Sequence, residues 1–143
     1  MKNSEIVTPL IYNQVEYFDY GVHKKTGEIY SKKRGEWEKR ESSVSGKGSP
    51  YPKLLLSVNG KKKSIQTHIA VHETLNPTLP LPPDVTVKQW RVTPNSVKQH
   101  MRHIYEVNHI DHVHTNYNPK NLEWVTKQQN IEAYQKHKKR QAA

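Results

Sequence analysis

Four prolines in the stretch from Pro77 to Asp84, with Pro77 as the first, constrain the fold of this chain more than any other feature. Proline lacks the amide hydrogen that a helix or a central strand needs, so this stretch is expected to be an extended connector. It separates two stretches with regular patterns. We therefore expect three consecutive segments, namely residues 1–78, a proline-rich connector with one helix at 79–104, and residues 105–143.

The first segment has the pattern of short strands joined by turns. Strands are predicted at 15–18, 29–31, 53–58 and 61–66. Asn59-Gly60 is the strongest hairpin signal, because both residues tolerate a positive φ. A Ser-, Gly- and Pro-rich loop is expected at 42–52, and a helix capped by Thr67 is expected at 67–75. The segment should be a small β-rich module with one short helix.

The remainder combines helices with two further strands. Thr93 and Pro94 are typical of a helix start, and that helix should continue to about Ile104 with Val97 and Met101 on its apolar face. Strands are predicted at 105–110 and 121–125 on either side of a polar loop. Thr126 should cap a last helix that continues to about Lys138. The fold class is therefore α+β.

The charge balance favours a polyanionic partner. Lys and Arg total 23 against 13 Asp and Glu, a formal net charge of +10. Contacts with phosphates release condensed counterions, so a polyanion such as a nucleic acid is favoured; a soluble basic protein with no nucleic-acid role is the alternative. Tyr30 and Trp37 could pack or stack there. The residues expected to contact DNA are Lys24, Lys25, Lys32, Lys33, Arg34, Lys61, Lys62, Lys63 and Lys127.

Several classes of protein are excluded by composition. The chain has no cysteine, so disulfides and thiolate metal sites are absent. No apolar run is long enough for a membrane span. The first twenty residues lack the apolar run of a signal peptide, so a cytoplasmic location is expected.

The strongest motif lies between Val107 and Ile131. It consists of Asn108-His109-Ile110-Asp111, a polar loop, Asn121-Leu122-Glu123-Trp124-Val125-Thr126, and Asn130 on the last helix. Several residue types are fixed at several spacings, which makes the pattern more specific than one short motif. Over residues 105–138 it resembles the HNH endonucleases, in particular the phage-type HNH homing endonucleases.

This resemblance implies both a fold and an activity. The fold would be a C-terminal ββα-metal nuclease module at 105–143, preceded by the β-rich, DNA-contacting module at 1–78. The activity would be metal-dependent hydrolysis of DNA phosphodiester bonds, by nicking or by double-strand cleavage. A phage-encoded enzyme of this kind would act in the host cell cytoplasm.

The resemblance also implies roles for four residues. His109 matches the general base, and Asn121 matches the residue that ties the loop to the first strand and orients the base. Asn108 and Asn130 match the metal ligands. Their amide oxygens suit Mg²⁺, or a similar hard ion such as Mn²⁺ or Ca²⁺. Both ligands are neutral, so the ion should bind weakly until DNA supplies a phosphate.

The chemistry of hydrolysis is consistent with these assignments. A histidine titrates near neutrality and can accept a proton from water. On the last helix, Lys127, Asn130 and Tyr134 follow each other at i, i+3 and i+7, so they share a face that should look toward the strands.

The other histidines leave alternatives open. His112 and His114 could be solvated, contact phosphate or help to hold a metal. A zinc-stabilised domain is the less favoured alternative, because the spacing of His109, His112 and His114 is not a usual zinc pattern. His68 is expected to be structural. A non-catalytic nucleic-acid-binding protein on the HNH frame is the main alternative function.

The first segment carries a weaker resemblance of its own. Leu56–Lys63 and the helix at 68–75 are similar to a module that precedes the HNH domain in phage homing endonucleases. In those proteins the HNH strand follows soon, whereas here residues 79–104 intervene. The sequence stops soon after the last helix, so we expect modest specificity from residues 1–104, in a monomer or a weak dimer.

Overall fold

The computed structural model describes residues 7–44 and 49–142, and these form a mixture of strands and helices. The strands are β1 (Val7–Tyr12), β2 (Val15–His23), β3 (Ile29–Lys33), β4 (Glu36–Arg40), β5 (Lys53–Val58), β6 (Lys61–Gln66), β7 (Tyr105–His109) and β8 (Leu122–Thr126). The helices are α1 (Thr67–Leu75), α2 (Val87–Arg91), α3 (Asn95–His100) and α4 (Lys127–Ala142), with short 3₁₀ turns at Met101–Ile104 and Pro119–Asn121. The α+β class is confirmed.

The chain divides into two compact units, each built from two separate stretches. The first unit contains Met1–Pro77 and His109–Glu123, and the second contains Thr78–Asn108 and Trp124–Ala143. The sequence had suggested three consecutive segments instead. No described helix has the length and apolar character that crossing a bilayer requires.

The first unit is built on an antiparallel sheet with the strand order β1-β2-β3-β4, accompanied by the hairpin β5-β6. The predicted turn at Asn59-Gly60 is confirmed, with φ of 50° and 76°. Asn13-Gln14 and Arg34-Gly35 make two further turns with positive φ at both residues. Such turns match the twist of the paired strands, which explains the tight connections.

The strands carry the core of this unit. Leu10, Val22, Ile29, Leu56 and Ile65 are buried, and Ala70 and Val71 add the apolar face of α1. The sequence analysis missed β1 and β4 and made β2 too short. Residues 45–48 of the loop expected at 42–52 lie outside the described residues; beside them, the backbone of Ser43 pairs with that of Lys53.

A buried carboxylate fastens α1 to the β1–β2 turn. Glu73 is 3% exposed and accepts hydrogen bonds from the backbone N–H groups of Asn13 (2.9 Å) and Gln14 (2.6 Å). The range predicted for α1 is confirmed, but the predicted cap is wrong. Gln66 is the N-cap, and the buried hydroxyl of Thr67 lies 2.6 Å from that of Ser42.

The second unit contains a helix that the sequence analysis missed. Thr86 and Gln89 cap α2 reciprocally, since each side chain bonds the backbone N–H of the other. The helix predicted at 93–104 is shorter than expected, because α3 ends at His100 and gives way to the 3₁₀ turn. Thr93 does not cap it, since its hydroxyl donates to the carbonyl of Gln89.

Aromatic packing replaces the apolar helix face that was expected here. Val97 and Ile104 are 44% and 40% exposed, so α3 does not bury them. Instead Tyr105 and Val107 are buried, and the guanidinium of Arg102 lies 4.5 Å from the ring centroid of Trp124. The hydroxyl of Tyr105 donates to the carbonyl of Pro80 at 2.9 Å, which anchors the proline-rich connector.

The predicted strand, loop, strand and helix are present at the end of the chain. β7 and β8 form a two-stranded sheet, and α4 follows β8 directly. Thr126 caps α4 as predicted, accepting from the N–H of Gln129 at 3.1 Å while its own N–H donates to the Gln129 side chain at 2.9 Å. The helix continues to Ala142, beyond the predicted end.

Candidate active site

His109 is the last residue of β7 and lies in the first unit. Its side chain is 3% exposed, and its Nε2 has no hydrogen-bond partner among residues 7–44 and 49–142. An unpaired ring nitrogen in a buried position costs free energy, which the surrounding packing must offset. No other group of the described residues therefore competes for this atom.

Three aromatic side chains surround this imidazole. The ring of His68 lies 4.7 Å from that of His109, and Tyr51 stacks on His68 at 4.8 Å with an interplanar angle of 20°. Tyr51 also lies 4.7 Å from His114. We call His68, His109, His114 and Tyr51 the histidine cluster. The sequence analysis missed Tyr51, and it left His114 without a role.

Burial keeps the two inner histidines neutral. Burial, followed by the positive charges that His109 and His114 can carry, lowers the pKa of His68 to about 3. The pKa of His109 is also lowered, first by burial and then by His114, while Asp111 opposes the change. A neutral imidazole with a free nitrogen can act as a proton acceptor at pH 7.

The loop after β7 is held by Asn121, which lies in the same unit as His109. Its Oδ1 accepts from the N–H of Asp111 at 3.0 Å, while its Nδ2 donates to Asp111 Oδ1 and to the carbonyl of Asn116, both at 2.9 Å. Its carbonyl accepts from the N–H of Ile110 at 2.8 Å. One amide thus joins the start of β8 to the residues that follow His109.

Asp111 is the second centre of this network. Its carboxylate accepts from the side chain of Asn116 at 2.7 Å and from the N–H of Val113 at 2.8 Å. These bonds lower the pKa of Asp111, with the bond from Asn116 as the largest cause. The carboxylate is therefore ionised at neutral pH and holds the loop together.

The far side of the loop rests on the β2–β3 turn. Gly27 has a φ of 76°, and a Cβ atom at this position would lie 2.6 Å from the carbonyl oxygen of Tyr117. Only glycine permits both the backbone conformation and the close approach. The β2–β3 turn therefore positions the site loop as well as joining two strands.

The depressed pKa of His68 predicts a loss of stability in acid. Below its ordinary pKa of 6.5 the unfolded chain gains a proton there, whereas the folded chain does not until about pH 3. Stability should therefore fall as the pH drops, by roughly 2 kcal/mol from this group between pH 7 and pH 5. In urea unfolding, His68→Phe should show a shallower loss over this interval than wild type. Equal losses in the two proteins would contradict the assignment.

The two predicted metal ligands lie in the second unit. Asn108 is half-buried on β7, and Asn130 is half-buried in the first turns of α4. The Nδ2 of Asn130 donates to Oε2 of Glu106 at 2.7 Å. The sequence analysis missed Glu106, although its place two residues before Asn108 puts it on the same face of the strand.

The donor atoms in this unit fit a hard cation. A carboxylate only accepts hydrogen bonds, so the nitrogen of the Asn130 amide must face Glu106 and its Oδ1 must point away. Amide and carboxylate oxygens are the ligands that Mg²⁺ and Ca²⁺ prefer. Within the described residues, no group of three His, Cys, Asp or Glu side chains could hold a metal, the three neighbouring histidines included.

The face of α4 differs from the prediction. Asn130, Ala133 and His137 are its half-buried positions, whereas Lys127 is exposed and Tyr134 is 61% exposed. Tyr134 therefore does not face the strands as expected. The spacing of Lys127, Asn130 and Tyr134 allowed a common face, but it could not identify which side of the helix packs.

The predicted DNA-contacting residues of the first unit are exposed, and two of the groups lie at opposite ends of β3. Lys24 and Lys25 lie in the β2–β3 turn, while Lys32, Lys33 and Arg34 lie at the other end of β3, roughly 15 Å away along a strand. Lys32 lies over Trp37, with Nζ 5.6 Å from the ring centroid.

The third predicted group begins β6. Lys61, Lys62 and Lys63 are exposed there, and Nζ of Lys63 is 5.8 Å from the ring centroid of Tyr17. Near the site loop, Lys24 and Lys120 line a cavity of about 470 Å³. Lys120 was not among the residues predicted to contact DNA, although it directly precedes Asn121 in the sequence.

Comparison with known proteins places the site residues inside a recognised segment. Residues 96–131 match the family model described as HNH endonuclease, and this segment contains Asn108, His109, Asn121 and Asn130. The resemblance found in the sequence is therefore confirmed. A search of curated proteins found no match.

The fold is similar to that of a solved nuclease. The structure of the HNH homing endonuclease I-HmuI, which describes DNA binding and cleavage by that enzyme, matches with a TM-score of 0.54 and 24% sequence identity. The match covers 82% of this chain and 52% of that chain, so this chain spans about half the length of I-HmuI. At this identity the likeness concerns the fold.

Proposed function

We propose that this chain is a divalent-metal-dependent HNH endonuclease that hydrolyses phosphodiester bonds in DNA. The observation that carries the proposal is the state of His109. It lies in the segment that matches the HNH endonuclease model, it is buried and its pKa is lowered, and its Nε2 has no partner among the described residues. A surface histidine without a role would combine none of these properties.

The proposed mechanism assigns one task to each residue. His109 takes a proton from the attacking water through Nε2, and Asn121 keeps the loop in place so that the ring stays oriented. Asn108 and Asn130 hold the divalent ion, with Mg²⁺ as the proposed ion and Mn²⁺ or Ca²⁺ as close alternatives. When bound, such an ion stabilises the charge that develops on the phosphate and on the leaving oxygen.

The partner in this proposal is double-stranded DNA, bound through the backbone phosphates. The basic side chains at Lys24, Lys25 and Lys120 are the nearest candidates to the site loop. The groups at 32–34 and 61–63 would reach other phosphates along the duplex. A phage homing-type enzyme, acting as a monomer or weak dimer in the host cytoplasm, is consistent with this assignment.

A plasmid assay with a metal panel tests the proposal. Supercoiled plasmid should be converted to open circles or linear DNA in Mg²⁺ or Mn²⁺, and this conversion should stop when EDTA is added. A gel-shift titration over a range of salt concentrations measures binding separately. Salt-sensitive binding without cleavage in any divalent ion would instead identify a non-catalytic DNA-binding protein. Stoichiometric zinc in the purified protein would favour a zinc-stabilised domain.

A further inference from the structure

We infer that Glu106 is a positioning residue for Asn130: its carboxylate fixes the rotation of the Asn130 amide so that Oδ1, not the NH₂ group, is offered to a divalent cation. The inference rests on the proposed function, because it concerns one of the two proposed ligands. It adds a residue that neither the HNH motif nor the sequence analysis identified.

The first step of the argument is the hydrogen bond itself. Nδ2 of Asn130 lies 2.7 Å from Oε2 of Glu106, a short distance typical of a bond to a charged acceptor. An ionised carboxylate has no hydrogen to donate, so the amide oxygen cannot occupy this place. The bond therefore selects one of the two rotations of the amide that differ by 180°.

The second step is what happens without this bond. The two ends of an asparagine amide have nearly the same size, so packing alone distinguishes them poorly. An amide that turns its NH₂ group toward a cation presents two positive hydrogens in place of a lone pair. Only the correctly rotated fraction can bind, and the apparent affinity falls with that fraction.

The third step is the place of Glu106 on β7. Tyr105 and Val107 are buried on one face of the strand, whereas Glu106 and Asn108 alternate with them and are half-exposed. The carboxylate thus shares a strand face with the second proposed ligand. Partners of this outer kind fix the orientation of the side chains that hold a metal ion.

A double-mutant cycle separates orientation from charge. Aspartate has two equivalent oxygens, so Asn130→Asp no longer needs a partner that selects its rotation. If Glu106 acts by orientation, Glu106→Ala should weaken Mn²⁺ binding about twofold in the Asn130 protein, as expected when half of the amides are wrongly rotated, and should not weaken it in the Asn130→Asp background. If Glu106 acts by its charge alone, the loss should be equal in both backgrounds.

The measurement is Mn²⁺ titration of the protein bound to a short DNA duplex, with the same duplex alone as the blank, followed by electron paramagnetic resonance of the free ion. Glu106→Gln carries a donor as well as an acceptor, so it no longer selects one rotation and should lose about twofold in Mn²⁺ affinity, which tests the proposal even if Glu106→Ala folds poorly. Glu132→Ala is the matched control, since Glu132 is an exposed residue of α4 bonded to Gln128 at 3.2 Å. Its Mn²⁺ affinity should equal that of the wild type.

Each outcome has a distinct meaning. Loss of Mn²⁺ binding in Asn130→Ala with unchanged binding in Glu106→Ala overturns the positioning role and leaves the proposed ligand in place. Unchanged binding in Asn130→Ala overturns both, because Asn130 is then not a ligand. An equal loss in both cycle backgrounds replaces orientation by charge and also overturns the inference. If the wild-type protein nicks plasmid DNA, the nuclease proposal stands whichever of these results is obtained.

Discussion

Replacing His109 with alanine should lower the rate of plasmid nicking by roughly 10²–10⁴-fold, the range that a general base commonly contributes. The substitution removes the proposed proton acceptor without touching either proposed metal ligand. DNA binding in EDTA should therefore change little. The measurement is the rate of open-circle formation in Mg²⁺ at saturating protein, compared with binding in a gel-shift titration.

The matched control is His103→Ala. His103 is exposed in the 3₁₀ turn and has no place in the histidine cluster. It should nick at the wild-type rate. His109 is buried, so its removal leaves a cavity, and urea unfolding must show that most of the protein is folded under assay conditions. If folded His109→Ala nicked as fast as His103→Ala, His109 could not be the base.

Asn121→Ala should combine a loss of stability with a loss of activity. Its side chain makes three hydrogen bonds to the site loop, and at about 1 kcal/mol each their loss should cost roughly 2–4 kcal/mol. A loop that shifts by about an ångström misplaces the adjacent base, so nicking should fall roughly 10²-fold in the protein that remains folded. Unfolding curves and nicking rates measure the two effects separately.

Two variants sharpen this prediction. Asn118→Ala lies on the same loop and removes only the bond from the N–H of Lys120, so it should cost less than half as much as Asn121→Ala. Asn121→Asp should be worse than alanine at neutral pH, because it replaces the two donors and places a carboxylate beside that of Asp111. Similar stability and nicking for Asn118→Ala and Asn121→Ala would argue against the anchoring role.

Local signals were sufficient for part of the fold. Asn59-Gly60, the range of α1 and the Thr126 cap were predicted because each depends on neighbours within a few residues. The HNH segment was identified for the same reason, since all of its motif residues fall within about 25 consecutive positions. The prediction of one helix at 93–104 starting at Thr93 was wrong. The Thr93 hydroxyl instead donates to the carbonyl of Gln89, which belongs to α2, a helix that the sequence analysis did not recognise.

The rest depends on contacts between distant residues. Tyr51 stands in a loop and gains its importance only by stacking against His68 and His109. In the sequence, Glu106 is only one charged residue of a predicted strand. Its hydrogen bond with Asn130 depends on the packing of α4. The basic residues were counted correctly, but a net charge does not tell which end of a sheet each lysine occupies.

The two reciprocally capped helix starts, at Thr86 and Thr126, have a consequence for behaviour in acid. Both use a glutamine where the common version of this cap has a glutamate, and neither helix has an acidic residue in its first turn. Hydroxyls and amides do not change protonation anywhere in the range a cell experiences. If acid destabilises the fold by protonating buried imidazoles, the N-terminal caps of α2 and α4 should remain formed. Unfolding at low pH should therefore begin elsewhere in the chain.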